Sequence, residues 1–101
     1  MKKVSIIIPI YHGQRYISRI LKMVDENARL VKDSAEVELI LVNDSPDVSL
    51  NTDFTQLQYA EAVCIDNAEN CGIHKSRING IRKSTGEYII MLDQDDILED
   101  Y

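Results

Sequence analysis

Three carboxylates fall within four positions near the end of the chain: Asp93, Asp95 and Asp96, in Leu92-Asp93-Gln94-Asp95-Asp96. Ionised side by side they repel one another, so a fold that keeps them together must supply water or a cation. Hard divalent cations such as Mg²⁺ and Mn²⁺ take oxygen ligands, typically one or two carboxylates completed by substrate phosphates. An apolar run, Tyr88-Ile89-Ile90-Met91-Leu92, leads into the cluster and reads as a buried strand. The chemistry suggested is a metal held at a strand end, with a phosphate held by the metal.

Plainer explanations exist for each chemistry-bearing residue. Acids at the start of a helix are favoured by its dipole, so the cluster also suits a solvated loop. A calcium hand does not fit, because no glycine occupies the sixth loop position. Asp44 could cap a following helix through its carboxylate. Arg77 could be a surface charge, Tyr11 a packing aromatic, and Pro9 a residue that shapes the backbone. His12 and His74 read as exposed surface histidines.

The elements that must position these residues follow from hydrophobic periodicity. Val4 to Ile8 is a continuous β-branched run, suited to a strand buried on both faces of a parallel sheet. Pro9-Ile10-Tyr11 ends it, and His12 to Arg15 forms a loop. From about Gln14 to Lys32 the period is helical. Ile17, Ile20, Leu21, Val24, Ala28 and Val31 share one face, with Arg19, Lys22, Asp25, Glu26 and Arg29 on the other. Val37 to Val42 is a second strand, closing at Asn43-Asp44-Ser45-Pro46-Asp47, where turn and cap residues gather. The next stretch is poorly patterned, with a short helix expected over Asn51 to Leu57. Ala62 to Asp66 is a third strand, followed by a polar loop to Gly72, a glycine suited to a positive φ. His74 to Ser84 reads as a helix with Ile73, Ile78 and Ile81 inward and Ser76 and Gly80 allowing close packing. Thr85-Gly86 is expected to end it. Glu87 to Leu92 is the fourth strand.

This alternation predicts an α/β fold: a Rossmann-like parallel sheet of about four strands, right-handed crossovers and helices on both faces. Ligands in such sheets bind at the carboxyl ends of the strands. Those ends carry Pro9-Ile10-Tyr11, Asn43-Asp44-Ser45, Asp66-Asn67 and Asp93-Gln94-Asp95, so polar groups converge on one sheet edge.

Composition narrows the class. A chain of 101 residues is one domain, with apolar and charged fractions of 45% and 28% that are ordinary for a globular protein. A net charge of −6 without a basic run argues against nucleic-acid or anionic-membrane partners. No apolar stretch approaches the roughly 20 residues of a membrane span. The first apolar run is too short for a signal peptide and stops at Pro9. Cys64 and Cys71 lack metal-ligand spacing, and Cys64 reads as a small buried hydrophobe. Reduced thiols and a cytoplasmic location are the expectation.

Four blocks, in order and correctly spaced, resemble the N-terminal nucleotide-binding portion of a family-2 glycosyltransferase with the glycosyltransferase A-type fold. Val4-Ser5-Ile6-Ile7-Ile8-Pro9-Ile10-Tyr11 resembles the first strand and its Pro-x-Tyr-Asn turn, with His12 for the Asn. Val42-Asn43-Asp44-Ser45 resembles Val-Asp-Asp-Gly-Ser, with Asn43 at the first acid and the glycine missing. Asn70-Cys71-Gly72 with Ser76-Arg77-Ile78-Asn79-Gly80 resembles Asn-x-Gly-x-x-x-Ala-Arg-Asn-x-Gly, with Ser76 for Ala and Ile78 for Asn. Gly86-Glu87-Tyr88-Ile89 with Leu92-Asp93-Gln94-Asp95-Asp96 matches the Gly-Glu-Tyr-Ile and Leu-Asp-x-Asp-Asp block, which carries the DXD motif.

The resemblance implies a nucleotide-sugar site, with UDP-sugar as the expected donor and Mn²⁺ or Mg²⁺ as the cofactor. It places Pro9 and Tyr11 beside the base. Asp44 would accept the ring N–H of a uracil-like base, as a pure acceptor can. Arg77 would face the base or phosphates, Asp93 the ribose or metal, and Asp95 the ion bridging the diphosphate. The family's reaction is an inverting transfer to an acceptor, with the base that deprotonates the acceptor well downstream of these blocks. No residue here is assigned that base, so donor-site chemistry without the acceptor half is expected. The alternatives are a non-catalytic nucleotide-binding or interaction module on the same scaffold, and a receiver-like domain, which the Pro9-Ile10-Tyr11 strand end disfavours. A domain cut at this point would expose a sheet edge and apolar surface, for which self-association into a homo-oligomer is one remedy.

Overall fold

In the computed structural model, which describes residues 2–45, 47, 50 and 53–95, β1 runs from Lys2 to Ile10 at the inside of the sheet. A turn of 3-10 helix at Gln14–Tyr16 leads into α1, Ile17–Leu30. Then come β2 (Ala35–Asn43), β3 (Ala60–Asp66), α2 (Gly72–Lys83) and β4 (Tyr88–Met91). All pairings are parallel and the strand order is β3-β2-β1-β4. The helix expected over Gln14 to Lys32 thus has its first turn wound tighter; β1, β2 and β3 extend beyond their apolar centres, while β4 is shorter than the expected Glu87 to Leu92.

Alternation along β1 divides the core between two faces. Ile6, Ile8 and Ile10 meet Ile17, Ile20, Leu21, Val24 and Ala28 of α1 and Leu39 and Leu41 of β2. Ile7 points the other way, with Ile40 and Val42, toward α2. The helical stripe on α1 therefore covers one face of the sheet. Each fully buried aliphatic side chain contributes about 1.5–3 kcal/mol relative to exposure.

α2 approaches the sheet differently. Its buried positions are Ser76 and Gly80, and a Cβ on Gly80 would collide with the side chain of Ile7 and lie 3.3 Å from Val42. The expectation that Ser76 and Gly80 permit close packing holds. The inward placement of Ile73, Ile78 and Ile81 does not, because all three are exposed. Seating the helix on its two small residues turns these isoleucines to the flanks.

The fourth strand is not buried. Tyr88, Ile89, Ile90 and Met91 are 37–49% exposed, because β4 is an edge strand paired only with β1 among the described residues. An apolar run marks a strand but does not say whether both of its faces are covered.

Two local expectations also change. Residues 53–57 form turns, and Asn51 and Thr52 lie outside the described residues. Asp53 Oδ1 accepts from both the backbone N–H and the hydroxyl of Thr55, a side-chain turn that competes with helix. Gly86 is not a positive-φ helix cap; α2 ends at an extended Ser84. Glycine is needed at 86 for space, since a Cβ would clash with Ser5 Oγ and lie 2.8 Å from Ser5 N.

Side chains pin the connections. Asp25, read from sequence as part of a solvated helix face, accepts the N–H groups of Gln58, Tyr59 and Ala60 at 2.8–3.2 Å and so anchors the entry to β3. At the entry to β4, Glu38 accepts from Ser5 Oγ and from Thr85 N, while Gly86 N donates to Ser5 Oγ. Among the described residues, no helix is long and apolar enough to cross a membrane.

Candidate functional site

The carboxyl ends of β1, β2 and β4 and the N-terminus of α2 enclose an open cleft of about 450 Å³. Pro9, Tyr11, Asp44, Asp93 and Asp95 all line it, together with Asn70, Gly72, Ile73 and Gln94. Parallel strands deliver these residues to one edge, as the order of elements predicts. Arg77 is the one expected site residue outside the lining. Its Nη2 donates to Asp93 Oδ1 at 2.8 Å, and its buried Nε has no hydrogen-bond partner.

Asp44 is the most enclosed of the acids, with 4% of its surface exposed. Its Oδ1 accepts the N–H of Cys71 at 2.7 Å and Asn67 Nδ2 at 2.8 Å, and its Oδ2 accepts the N–H of Gly72 at 3.0 Å. Asp44 therefore does cap a helix, but the helix is α2, reached across space. Burial alone would raise its pKa. The hydrogen bonds from Cys71, Asn67, Gly72 and Ser76 outweigh burial and hold the carboxyl below its ordinary value. An ionised carboxylate has about four acceptor positions, and these four donors draw on them while Asp44 still lines the cleft.

A buried polar relay backs Asp44. Asn67 Nδ2 also donates to Ser76 Oγ at 2.9 Å, and Asn79 Nδ2 donates to Asn67 Oδ1 at 3.0 Å. Asn43 faces β3, donating to Asp66 Oδ1 at 2.9 Å and accepting from Ser45 N at 3.0 Å. An acid at 43 would meet the carboxylate of Asp66, which accounts for the amide there.

The opening turn is held on both sides. His12 adopts φ +47°, a left-handed conformation in which His and Asn are enriched, and its N–H donates to Ser45 Oγ at 2.9 Å. The histidine is exposed, as expected, but its conformation is fixed. Tyr11 is 52% exposed, its ring edge-on to His12 at 4.3 Å between centroids. Its backbone N–H donates to Gln94 Oε1 at 2.9 Å, and its carbonyl accepts Gln94 Nε2 at 3.2 Å.

Sequence reasoning passed over Gln94, Asn67 and Asn70. Gln94 lies inside the acidic motif, and an amide between acids, which alone there can donate, was the available signal. Asn67 stands at a strand end and Asn70 in a family block, but both look like turn residues and neither takes a role of its own from the sequence.

The acidic cluster is divided. Asp93 is engaged by Arg77, whereas Asp95 is exposed and makes no hydrogen bond or ion pair to another described residue. Asp96 lies outside the described residues. Among the described residues, no group of three His, Cys, Asp or Glu side chains is gathered closely enough to hold a metal by itself. Two rim carboxylates still fit a hard cation whose remaining ligands come from phosphate and water. The cysteines are free; burial, and then Asp66, push the Cys64 thiol up to about 11.

A parallel α/β sheet with a polar cleft across its strand ends defines a doubly wound ligand-binding domain. The chain belongs to glycosyl transferase family 2, whose family model matches residues 5–101. A glycosyltransferase of Rickettsia typhi is 34% identical over 95 residues, covering 93% of this chain and 27% of the relative. Glycosyltransferase GlyA of Streptococcus pneumoniae is 26% identical over 100 residues, covering 96% of this chain and 13% of the relative. Staphylococcus aureus TarS shares the fold, with a TM-score of 0.69 and 23% identity over 94% of this chain and 28% of the TarS chain. A second TarS structure, with UDP-GlcNAc bound, gives the same TM-score at 24% identity. The fold is thus of the glycosyltransferase A type, and the chain spans less than a third of each of these proteins.

Proposed function

We propose that this domain binds the nucleoside diphosphate of a nucleotide sugar, UDP-linked by preference, as the donor-site part of an inverting glycosyltransferase that uses a divalent cation. The observation that carries this reading is the single cleft lined by Pro9, Tyr11, Asp44, Asp93 and Asp95. The binding of UDP-GlcNAc by TarS, which shares the fold, supports it.

Roles divide along the cleft. Tyr11 and Pro9 form the wall for the base, and the Asp44 carboxylate, which lines the cleft, faces its ring N–H. Asp95, and Asp93 beside it, would hold Mn²⁺ or Mg²⁺. When bound, the cation supplies neutralisation of the charge developing on the departing diphosphate. Arg77 orients Asp93 through their ion pair, and its guanidinium adds positive charge near the phosphates. An acidic domain thereby accommodates an anionic ligand. The acceptor's deprotonation is assigned to no residue of this chain.

Calorimetric titration of UDP, with and without Mn²⁺, tests the reading on the wild-type protein and on Asp95→Ala. Binding should strengthen with Mn²⁺ in the wild type and lose that dependence in Asp95→Ala. Equal binding under all these conditions would overturn a cation held by Asp95 as part of the diphosphate site.

A further inference from the structure

We infer that Gln94 is a positioning residue: its side-chain amide clamps the backbone of Tyr11 and so fixes the spacing between the aromatic wall and the acidic rim of the cleft. The inference rests on the nucleotide reading above and adds a specific device to it.

The geometry has three parts. First, the amide of Gln94 satisfies both backbone groups of Tyr11, accepting its N–H and donating to its C=O. A side-chain amide paired this way imitates a strand neighbour. It extends the parallel pairing of β1 and β4 past the last register pair, Ile7 with Met91, and past the Leu92 N–H bond to Ile7 O. Second, the path of the amide is walled by Gly13, where a Cβ would collide with Gln94 Oε1 and sit 2.9 Å from its Cδ. Gly13 is buried without a positive φ, so space is what glycine provides there. Third, the neighbours of Gln94 are held or exposed in sequence. Asp93 is tied to α2 through Arg77, Gln94 is tied to the β1 turn, and Asp95 stands exposed on the cleft rim.

The consequence concerns Tyr11. Its ring is half exposed and gains little fixing from packing. Its placement comes from the backbone, held by Ser45 through the His12 N–H on one side and by Gln94 on the other. Glutamate at 94 would retain an acceptor for the Tyr11 N–H but repel the carbonyl. Asparagine would be one methylene too short to keep both bonds.

The test uses UDP with Mn²⁺ as the probe, on the protein and on Gln94→Ala, Gln94→Glu, Gly13→Ala and the Gly13→Ala/Gln94→Ala double variant. Gln94→Ala should speed hydrogen exchange at the Tyr11 amide and weaken UDP binding about tenfold, the loss of a bond or two to backbone. Its melting temperature should stay within a few degrees, because Gln94 is partly exposed. Gln94→Glu should fall between. Gly13→Ala should weaken UDP binding when Gln94 is present and add little when it is absent. Unchanged exchange at Tyr11, unchanged UDP affinity in Gln94→Ala, or additive effects of the two substitutions would each overturn the proposal. If the wild-type protein does not bind UDP, the nucleotide reading fails and the positioning role fails with it. Exchange at Tyr11 would then report only whether the clamp forms.

Discussion

The guanidinium of Arg77 lies 2.8 Å from the carboxylate of Asp93 and joins the middle of α2 to the turn after β4. The two residues come from separate sequence blocks, and their pairing brings helix and acidic turn to one side of the cleft. Both side chains are about a third to a half exposed, so the pair contributes no more than about 1 kcal/mol to stability. Arg77→Ala should therefore leave the denaturation midpoint nearly unchanged while weakening UDP binding several-fold. Parallel urea titrations and calorimetry would check this; a large stability loss with intact binding would contradict it.

Asp44 couples the cleft to folding. Its folded pKa lies below the ordinary carboxylate value, so it contributes stability that is present above about pH 4. That contribution is lost as pH falls through the depressed folded pKa. Asp44→Asn should cost about 1–3 kcal/mol at pH 7, since a buried acceptor for backbone N–H groups is weakened. Its deficit should shrink in acid. Urea unfolding of both proteins from pH 7 down to pH 3 would show the two curves converging.

Glu38 acts in the same direction at the opposite end of the sheet. Burial opposes its ionisation, but hydrogen bonds from Ser5 and Thr85, with Lys3 nearby, hold its pKa below the usual value. Its stabilisation is likewise present above about pH 4.5 and lost below. Glu38→Gln should loosen the entry to β4, seen as faster hydrogen exchange at the Thr85 amide at neutral pH.

Asn43 should not tolerate the acid that the family motif carries at this position. Asn43→Asp would place a carboxylate where the amide donates to Asp66 at 2.9 Å. Two carboxylates that close cannot both ionise freely, so one pKa rises. The variant should be destabilised at pH 7 and recover partly as pH falls toward 5. Thermal melts across that range would reveal a slope opposite in sign to that of Asp44 and Glu38.

Gly86 tests packing alone. Gly86→Ala puts a methyl group against the Ser5 backbone, and overpacking of this kind costs about 1–3 kcal/mol. Chemical denaturation should show that loss. A neutral outcome would mean that β4 shifts at little cost.

The order of elements, the parallel sheet, the α1 core stripe and the strand-end acids were legible in the sequence because each is a local pattern. A helical stripe of Ile17, Ile20, Leu21 and Val24 can bury itself only one way, and a parallel sheet sends its strand ends to one edge. The family motifs likewise survive as short blocks. What the sequence could not decide was how separate elements approach. Only tertiary structure seated α2 on Ser76 and Gly80 and left Ile73, Ile78 and Ile81 outside. It also made β4 an exposed edge, turned Asp25 to the backbone of β3, aimed Asp44 at the start of α2, and set the Gln94 amide against Tyr11. These relations join residues about 30 to 80 positions apart. Periodicity reports which face of an element is apolar, but a hydrogen bond across the fold depends on distances that only the packed chain defines.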